Sequence, residues 1–179
     1  MSQRGMTLVE LLVGTALIVG GGGALLVGMH YAMAHADYLS DFQVAVNAAQ
    51  GKLEELALTS FMTLSTDPKF ADARAATGQC VGLEEDRNCS GTLEAGEDIN
   101  GNAILDEPLV GARLNIRFVH PGADPALLDL YVAACWASHG RAIGEDQNCN
   151  GRLDAGEDKN GNGIVDSPVM LTTRVATKE

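Results

Sequence analysis

Carboxylates, amides and glycines recur in this chain at a spacing that suits a hard, oxygen-seeking cation. Counting from Asp86, oxygen donors fall at positions 1, 3, 5, 7, 9 and 12: Asp86, Asn88, Ser90, the Thr92 carbonyl, Glu94 and Glu97, with Gly91 at position 6. Counting from Asp146 gives Asp146, Asn148, Asn150, the Arg152 carbonyl, Asp154 and Glu157, with Gly151 at position 6. Position 8 is apolar in both, Leu93 and Leu153. Oxygen ligands at these positions, a glycine at the sharp turn and a closing bidentate carboxylate are what a Ca2+ loop requires.

Each full loop runs into a shorter one. Asp98, Asn100, Asn102, the Ile104 carbonyl and Asp106 fill positions 1 to 9, as do Asp158, Asn160, Asn162, the Ile164 carbonyl and Asp166. At position 12 stand Leu109 and Val169, which offer no side-chain oxygen. Ala103 replaces the turn glycine in the first half-loop, and a non-glycine residue at positive φ costs energy; Gly163 keeps it in the second. Two Ca2+ ions are expected in the full loops and up to four overall, the second half-loop being better equipped than the first. Sharing of ligands between full and half-loops is the alternative arrangement. The spacing is of EF-hand type, but no helical pattern flanks it, which argues against a paired sensor. The loops resemble the isolated, helix-poor calcium loops of dockerins and secreted repeat proteins. Mg2+ prefers several waters and rigid octahedral sites. Zinc is disfavoured because the cysteines lack a C-x-x-C spacing and a suitable histidine.

The loops are copies of one another. Residues 85–108 and 145–168 align at an offset of 60 along their whole length, an internal duplication. They also hold the charge. The 179-residue chain has a formal net charge of −12. Residues 84–107 and 145–166 together carry 14 of its 24 acids and 3 of its 12 bases, leaving a nearly neutral remainder. Such charge disfavours direct binding to nucleic acid, where affinity rests on Lys and Arg against phosphate. Eleven net negative charges confined to two small loops repel one another unless cations are present.

Cys89 and Cys149 occupy equivalent places in the two copies, and Cys80 and Cys135 stand shortly upstream of each. The simplest pairing is local, Cys80 with Cys89 and Cys135 with Cys149; four cysteines allow three connectivities. No catalytic constellation accompanies them. His30 and His35 flank a membrane boundary, and His120 and His139 fall in expected loops with no nucleophile, phosphate loop or Cys–His pair. No enzymatic activity is expected.

The elements that must carry these loops begin with an apolar N-terminal run. Residues 11–36 contain no Asp, Glu, Lys or Arg, and residues 6–29 as a helix would span roughly 36 Å, enough to cross a bilayer. Before them stands the short polar stretch Met1-Ser2-Gln3-Arg4-Gly5, and one acid, Glu10, sits just inside the apolar stretch. Arg4-Gly5 followed by Met6-Thr7-Leu8-Val9-Glu10-Leu11-Leu12-Val13 resembles the class III leader of type IV prepilins and pseudopilins. That resemblance implies removal of residues 1–5 by a prepilin peptidase after Gly5 and methylation of the new amino terminus, Met6. It departs from the family in having Met6 where Phe is usual. It also implies that Glu10 pairs with the Met6 amine of a neighbouring subunit and sets register in a filament. Gly20-Gly21-Gly22-Gly23 form a weak point, since each glycine costs about 0.8–1 kcal/mol against alanine in a helix. A stretch near this depth loses helicity on assembly in the family. Close helix packing in the membrane is the other use of such glycines.

Past Asp37 the pattern becomes one-faced. Phe42, Val46, Ala49, Leu53 and Leu56 recur at helical spacing, predicting one helix from about Met6 to about Thr59. Its membrane-spanning half covers residues 6–36, and an amphipathic part covers 37–64. Ala49-Gln50-Gly51-Lys52-Leu53-Glu54-Glu55-Leu56 is similar to the end of the first helix in minor pilins and minor pseudopilins. Three later stretches alternate as strands. Leu114, Ile116 and Phe118 face opposite to Arg113, Asn115 and Arg117. Leu128, Leu130, Val132, Ala134 and Trp136 form a second apolar row, and Val169, Leu171, Thr173 and Val175 a third. Residues 120–125 read as a hairpin connection. The expected fold class is α+β, pilin-like: a long N-terminal helix packed on a small antiparallel sheet in a globular headpiece, residues 65–179, with two calcium-loop insertions.

By the resemblance, the chain is a structural subunit, a minor pilin or pseudopilin of a type IV pilus or type II secretion-like filament. Its partners would be other pilins through the N-terminal helix, the prepilin peptidase and the inner membrane before assembly. It would cross the bacterial inner membrane once with a periplasmic headpiece, then join a periplasmic or extracellular filament. The alternative is a membrane-anchored calcium-binding adhesion module that never enters a filament.

Overall fold

The structure, a computed structural model, describes residues 7–82, 86, 89–90, 92–102, 104, 112–122, 124–138 and 141–177. The chain divides into two compact units, Met1–Ser40 and Asp41–Glu179. The first helix, α1 (Leu8–Leu58), contributes to both. In the first unit it is apolar, exposed and long enough to cross a membrane by length and composition. Thr7 starts it: the Glu10 carboxylate accepts from the Thr7 backbone N–H at 2.8 Å, while the Thr7 hydroxyl accepts from the Glu10 N–H at 3.3 Å. This reciprocal pair is a capping box.

In the second unit α1 becomes one-faced, as its spacing predicts. Ala45, Ala49 and Leu56 are buried, and Phe42, Val46 and Leu53 are half-buried on the same stripe. Helix is not continuous through residue 64: α1 stops at Leu58 and a short α2 (Phe61–Thr66) follows. Ser60 is the cause, its hydroxyl accepting from the Thr63 N–H at 3.2 Å and opening a new helix. A 3-10 turn (Pro68–Phe70) and α3 (Ala71–Arg74) complete this segment. The Arg74 guanidinium holds it together by donating to the Leu64 and Asp67 carbonyls at 2.8 and 3.0 Å.

The sheet has five antiparallel strands: β1 (Gln79–Gly82), β2 (Arg113–Val119), β3 (Leu127–Ser138), β4 (Arg141–Ile143) and β5 (Met170–Ala176). The long β3 is central, pairing with β2, β4 and β5. Directly opposed residues share a face, so the register assigns the two sides. Leu114, Ile116 and Phe118 lie with Leu130, Val132 and Ala134, all buried. Trp136 continues that row and meets Phe42 of α1 edge-on, ring centroids 6.3 Å apart.

The opposite face carries the loops. Arg113 and Asn115 are buried, so β2 is covered on both sides. Its three polar side chains each hold a different segment. Arg113 pairs with Asp86, Asn115 donates to the Gly151 carbonyl at 2.8 Å, and Arg117 donates to the Arg74 carbonyl at 2.9 Å. Each duplicated loop lies between a short strand and a longer one, β1 to β2 and β4 to β5.

Candidate metal centre

In the second loop the position-1 carboxylate is a hub. Asp146 Oδ1 accepts from the Asn150 N–H at 3.1 Å and Oδ2 from the Gly151 N–H at 2.7 Å. The Asn148 oxygen accepts from the Asn150 N–H, and the Asn150 oxygen from the Arg152 N–H. An amide oxygen has two lone pairs, so each keeps one for a further partner. Both side-chain amides donate to Asp154 Oδ2, at 3.0 and 2.7 Å. These two hydrogen bonds, Asn148 first, hold the Asp154 carboxyl below its ordinary range. Glu157 closes the ring at position 12. Its Oε1 accepts from the Gln147 N–H and its Oε2 from the Asp154 N–H, each at 2.9 Å. Hydrogen bonds therefore tie the side chains at positions 1, 3, 5, 9 and 12 into one network with the N–H groups of the loop.

The half-loop from Asp158 repeats this bond for bond. Asp158 accepts from the Asn162 and Gly163 N–H groups at 3.0 and 2.9 Å. Asn160 and Asn162 accept from the N–H groups of Asn162 and Ile164, and both donate their amides to Asp166. Position 12 is not empty of carboxylate, as the sequence suggests, but filled from upstream. Glu145 Oε1 accepts from the Lys159 N–H and Oε2 from the Asp166 N–H, both at 3.3 Å. These are positions 2 and 9, the same two N–H groups that Glu157 receives in the full loop. Adjacent acids, Glu145 and Asp146, thus serve two successive loops. A search for a position-12 ligand eleven residues downstream misses Glu145; the signal is the acid directly before position 1, which Glu85 repeats in the first copy.

The first copy shares the pattern over its described residues. Asp86 Oδ1 accepts from the Ser90 N–H at 2.9 Å, the Ser90 hydroxyl donates to the Thr92 carbonyl, and Glu97 accepts from the Glu94 N–H at 3.1 Å. In its half-loop Asp98 accepts from the Gly101 and Asn102 N–H groups, Asn100 from that of Asn102, and Asn102 from that of Ile104. Asn88 and Asp106 lie outside the described residues, as do Glu85, Gly91, Ala103 and Leu109. Position 1 distinguishes the copies. Asp86 has a built-in cation, Arg113, on its second oxygen; the sequence gives no hint of this partner 27 residues away.

Among the described residues Asp146 has no such partner. It is fully buried, Glu157 is 6% exposed, and among the described residues no Lys or Arg pairs with either. Burial pushes the Asp146 carboxyl above its ordinary range. The N–H groups of Gly151 and Asn150 pull it back, and the nearby Glu157 charge adds to the rise. Among the described residues this buried carboxylate pair has no counter-cation, and the Asn148, Asn150 and Asp154 side chains of the same loop add oxygen donors of the kind a hard divalent ion takes. Still, among the described residues no three His, Cys, Asp or Glu side chains converge on one point suited to a metal.

Two disulfides fix the loops, Cys80–Cys89 and Cys135–Cys149, the local pairing. Both position-4 cysteines adopt positive φ, 61° and 50°. At the other end of the chain, Gly5 and Met6 lie outside the described residues. Glu10 is placed in the capping box, a Thr-x-x-Glu signal legible in the sequence. No family model matches the chain, and neither a curated protein nor a solved structure matches it.

Proposed function

We propose that the chain is a filament subunit of the minor pilin or pseudopilin kind, anchored and assembled through α1, with a headpiece ordered by Ca2+. The observation that carries the assembly part is an exposed apolar helix whose only acid before Asp37 is Glu10, near its start. A carboxylate in a spanning helix is costly and asks for a partner. Before assembly, Thr7 provides one locally; a neighbour's Met6 amine would replace it in the filament. The test is mass spectrometry of the chain recovered from membranes. A terminus at methylated Met6 supports the reading, and an intact Met1 favours the tethered adhesion module instead.

The Ca2+ part rests on Asp146 and Glu157, buried together and, among the described residues, without a counter-cation. Asp146, Asn148, Asn150, the Arg152 carbonyl, Asp154 and Glu157 would hold one ion. Asp158, Asn160, Asn162, the Ile164 carbonyl, Asp166 and Glu145 would hold a second. The bound ion would supply the positive charge that Arg113 supplies to Asp86 in the first copy. Isothermal calorimetry on the full chain in detergent tests this, and an absence of Ca2+ binding overturns it.

A further inference from the structure

We infer that the Cys80–Cys89 disulfide of the first repeat is the floor on which the loop of the second repeat closes, so that the two repeats order as one unit. Gly151, the turn residue of the second loop, is buried at φ +71°. A Cβ there would lie 2.3 Å from Cys80 Sγ and 2.7 Å from Cys80 Cβ, leaving no room for any side chain. Glycine at this position is therefore demanded twice, by the turn and by the disulfide beneath it.

Hydrogen bonds hold the contact in place. Asn115 stands opposite Cys80 across the β1–β2 pair and donates to the carbonyls of Gly151 and Thr77 at 2.8 and 3.2 Å. The Thr77 carbonyl also accepts from the Leu153 N–H at 2.8 Å. Gly78 clears the space that Asn115 needs, since a Cβ there would come within 2.5 Å of its Nδ2. Positions 6 and 8 of the second loop are thus fastened to Asn115 of β2 and to Thr77, just ahead of β1. The connection continues across the sheet. Arg113, which holds Asp86 of the first loop, stands opposite Cys135, whose disulfide holds Cys149 of the second. Packed contacts and hydrogen bonds of this kind are the network through which a change in one loop would reach the other.

With the Ca2+ reading, on which this part rests, cation affinity at the second loop depends on the first repeat's disulfide. The experiment is amide hydrogen exchange on the full chain in detergent, in chelator and across a Ca2+ titration, comparing wild type with Cys80→Ser/Cys89→Ser. In chelator, exchange at Gly151 and Leu153 accelerates about tenfold or more, the range of typical site-to-site coupling. The Ca2+ concentration that protects Gly151 rises by a similar factor. Faster exchange confined to residues 80–90, with 150–153 unchanged, overturns the inference. Should the double variant fail to fold, Asn115→Ala, which keeps both disulfides, must accelerate exchange at Gly151 and Leu153; unchanged exchange there overturns it equally. The chelator arm needs no metal. A wild-type chain that binds no Ca2+ therefore sinks the calcium reading alone and leaves the coupling to be judged on exchange.

Discussion

Glu10 is a single carboxylate with two claims on it. Glu10 caps its own helix through Thr7, and the resemblance to prepilins asks it to pair with a neighbour's amine. Glutamine serves a capping box as well as glutamate but carries no charge, so Glu10→Gln separates the two. The variant is expected to insert in membranes with wild-type helicity, by circular dichroism, yet to be absent from sheared filaments. Normal incorporation would end the register role. Glu145 completes the half-loop from Asp158 in the way that Glu157 completes the full loop. Glu145→Gln keeps one acceptor oxygen and loses the charge. Its Ca2+ affinity at the half-loop is expected to fall on the order of tenfold to a hundredfold, as when a supporting ligand is lost, with the Asp146 loop still filled. Calorimetry showing loss at both loops or at neither would contradict this division of labour.

At the scale of elements, β2 explains what the alternation of sequence hides. Leu114, Ile116 and Phe118 announce one apolar face, and the opposite row of Arg113, Asn115 and Arg117 reads as solvent-facing in most strands. Here Arg113 and Asn115 are buried and Arg117 half-buried, bonded in turn to Asp86, Gly151 and Arg74, so the row holds the loops and the α3 segment rather than facing water. Periodicity was enough for α1, β2, β3 and β5, whose runs are long. β1 and β4, of four and three residues, are too short to show a period and exist because β2 and β3 pair with them. The loops were legible because ligand spacing is local; Arg113 and Glu145 were not, because they reach the loops from outside the counted stretch. β5 has its own electrostatic tie to β3. Hydrogen bonds from Arg174 hold the Asp129 carboxyl below its ordinary range. A lowered carboxyl adds stability above its unfolded pKa and loses it as pH falls through the folded value. Amide exchange in β5, corrected for intrinsic rates, should therefore rise on acidification in wild type, and much less in Arg174→Gln, where the tie is already gone. Arg174 is exposed and Asp129 half-buried, so the effect is modest and salt-dependent. Equal acid sensitivity in the two proteins would remove Asp129 from the account.

The whole molecule is a neutral body carrying charge in two places. Of the −12 formal charge, all but one unit lies in residues 84–107 and 145–166. Two bound Ca2+ would bring the total to −8 and four to −4, relieving repulsion where the chain is most crowded. Because the loops join β1 to β2 and β4 to β5, their order is also the order of the sheet, and metal removal should loosen the headpiece as a unit. Trp136 is the single tryptophan; it is fully buried and meets Phe42 edge-on, so its emission reports the headpiece while the apolar residues 8–36 remain in a micelle. A ligand at a hundred times its Kd stabilises by about 2.7 kcal/mol per site. For a chain of this size that is a rise of about 5–10 °C in the midpoint for each filled loop. Ca2+ in excess should therefore raise the Trp136 transition by that amount over chelator, and Mg2+ at the same concentration by less. Sodium chloride at matched ionic strength separates ligation from screening, since it reaches the surface charge but not buried Asp146 and Glu157. If sodium reproduces the whole rise, the loops are only an acidic surface. If Ca2+ leaves the midpoint where chelator puts it, the headpiece folds without metal, and the duplicated spacing needs another explanation.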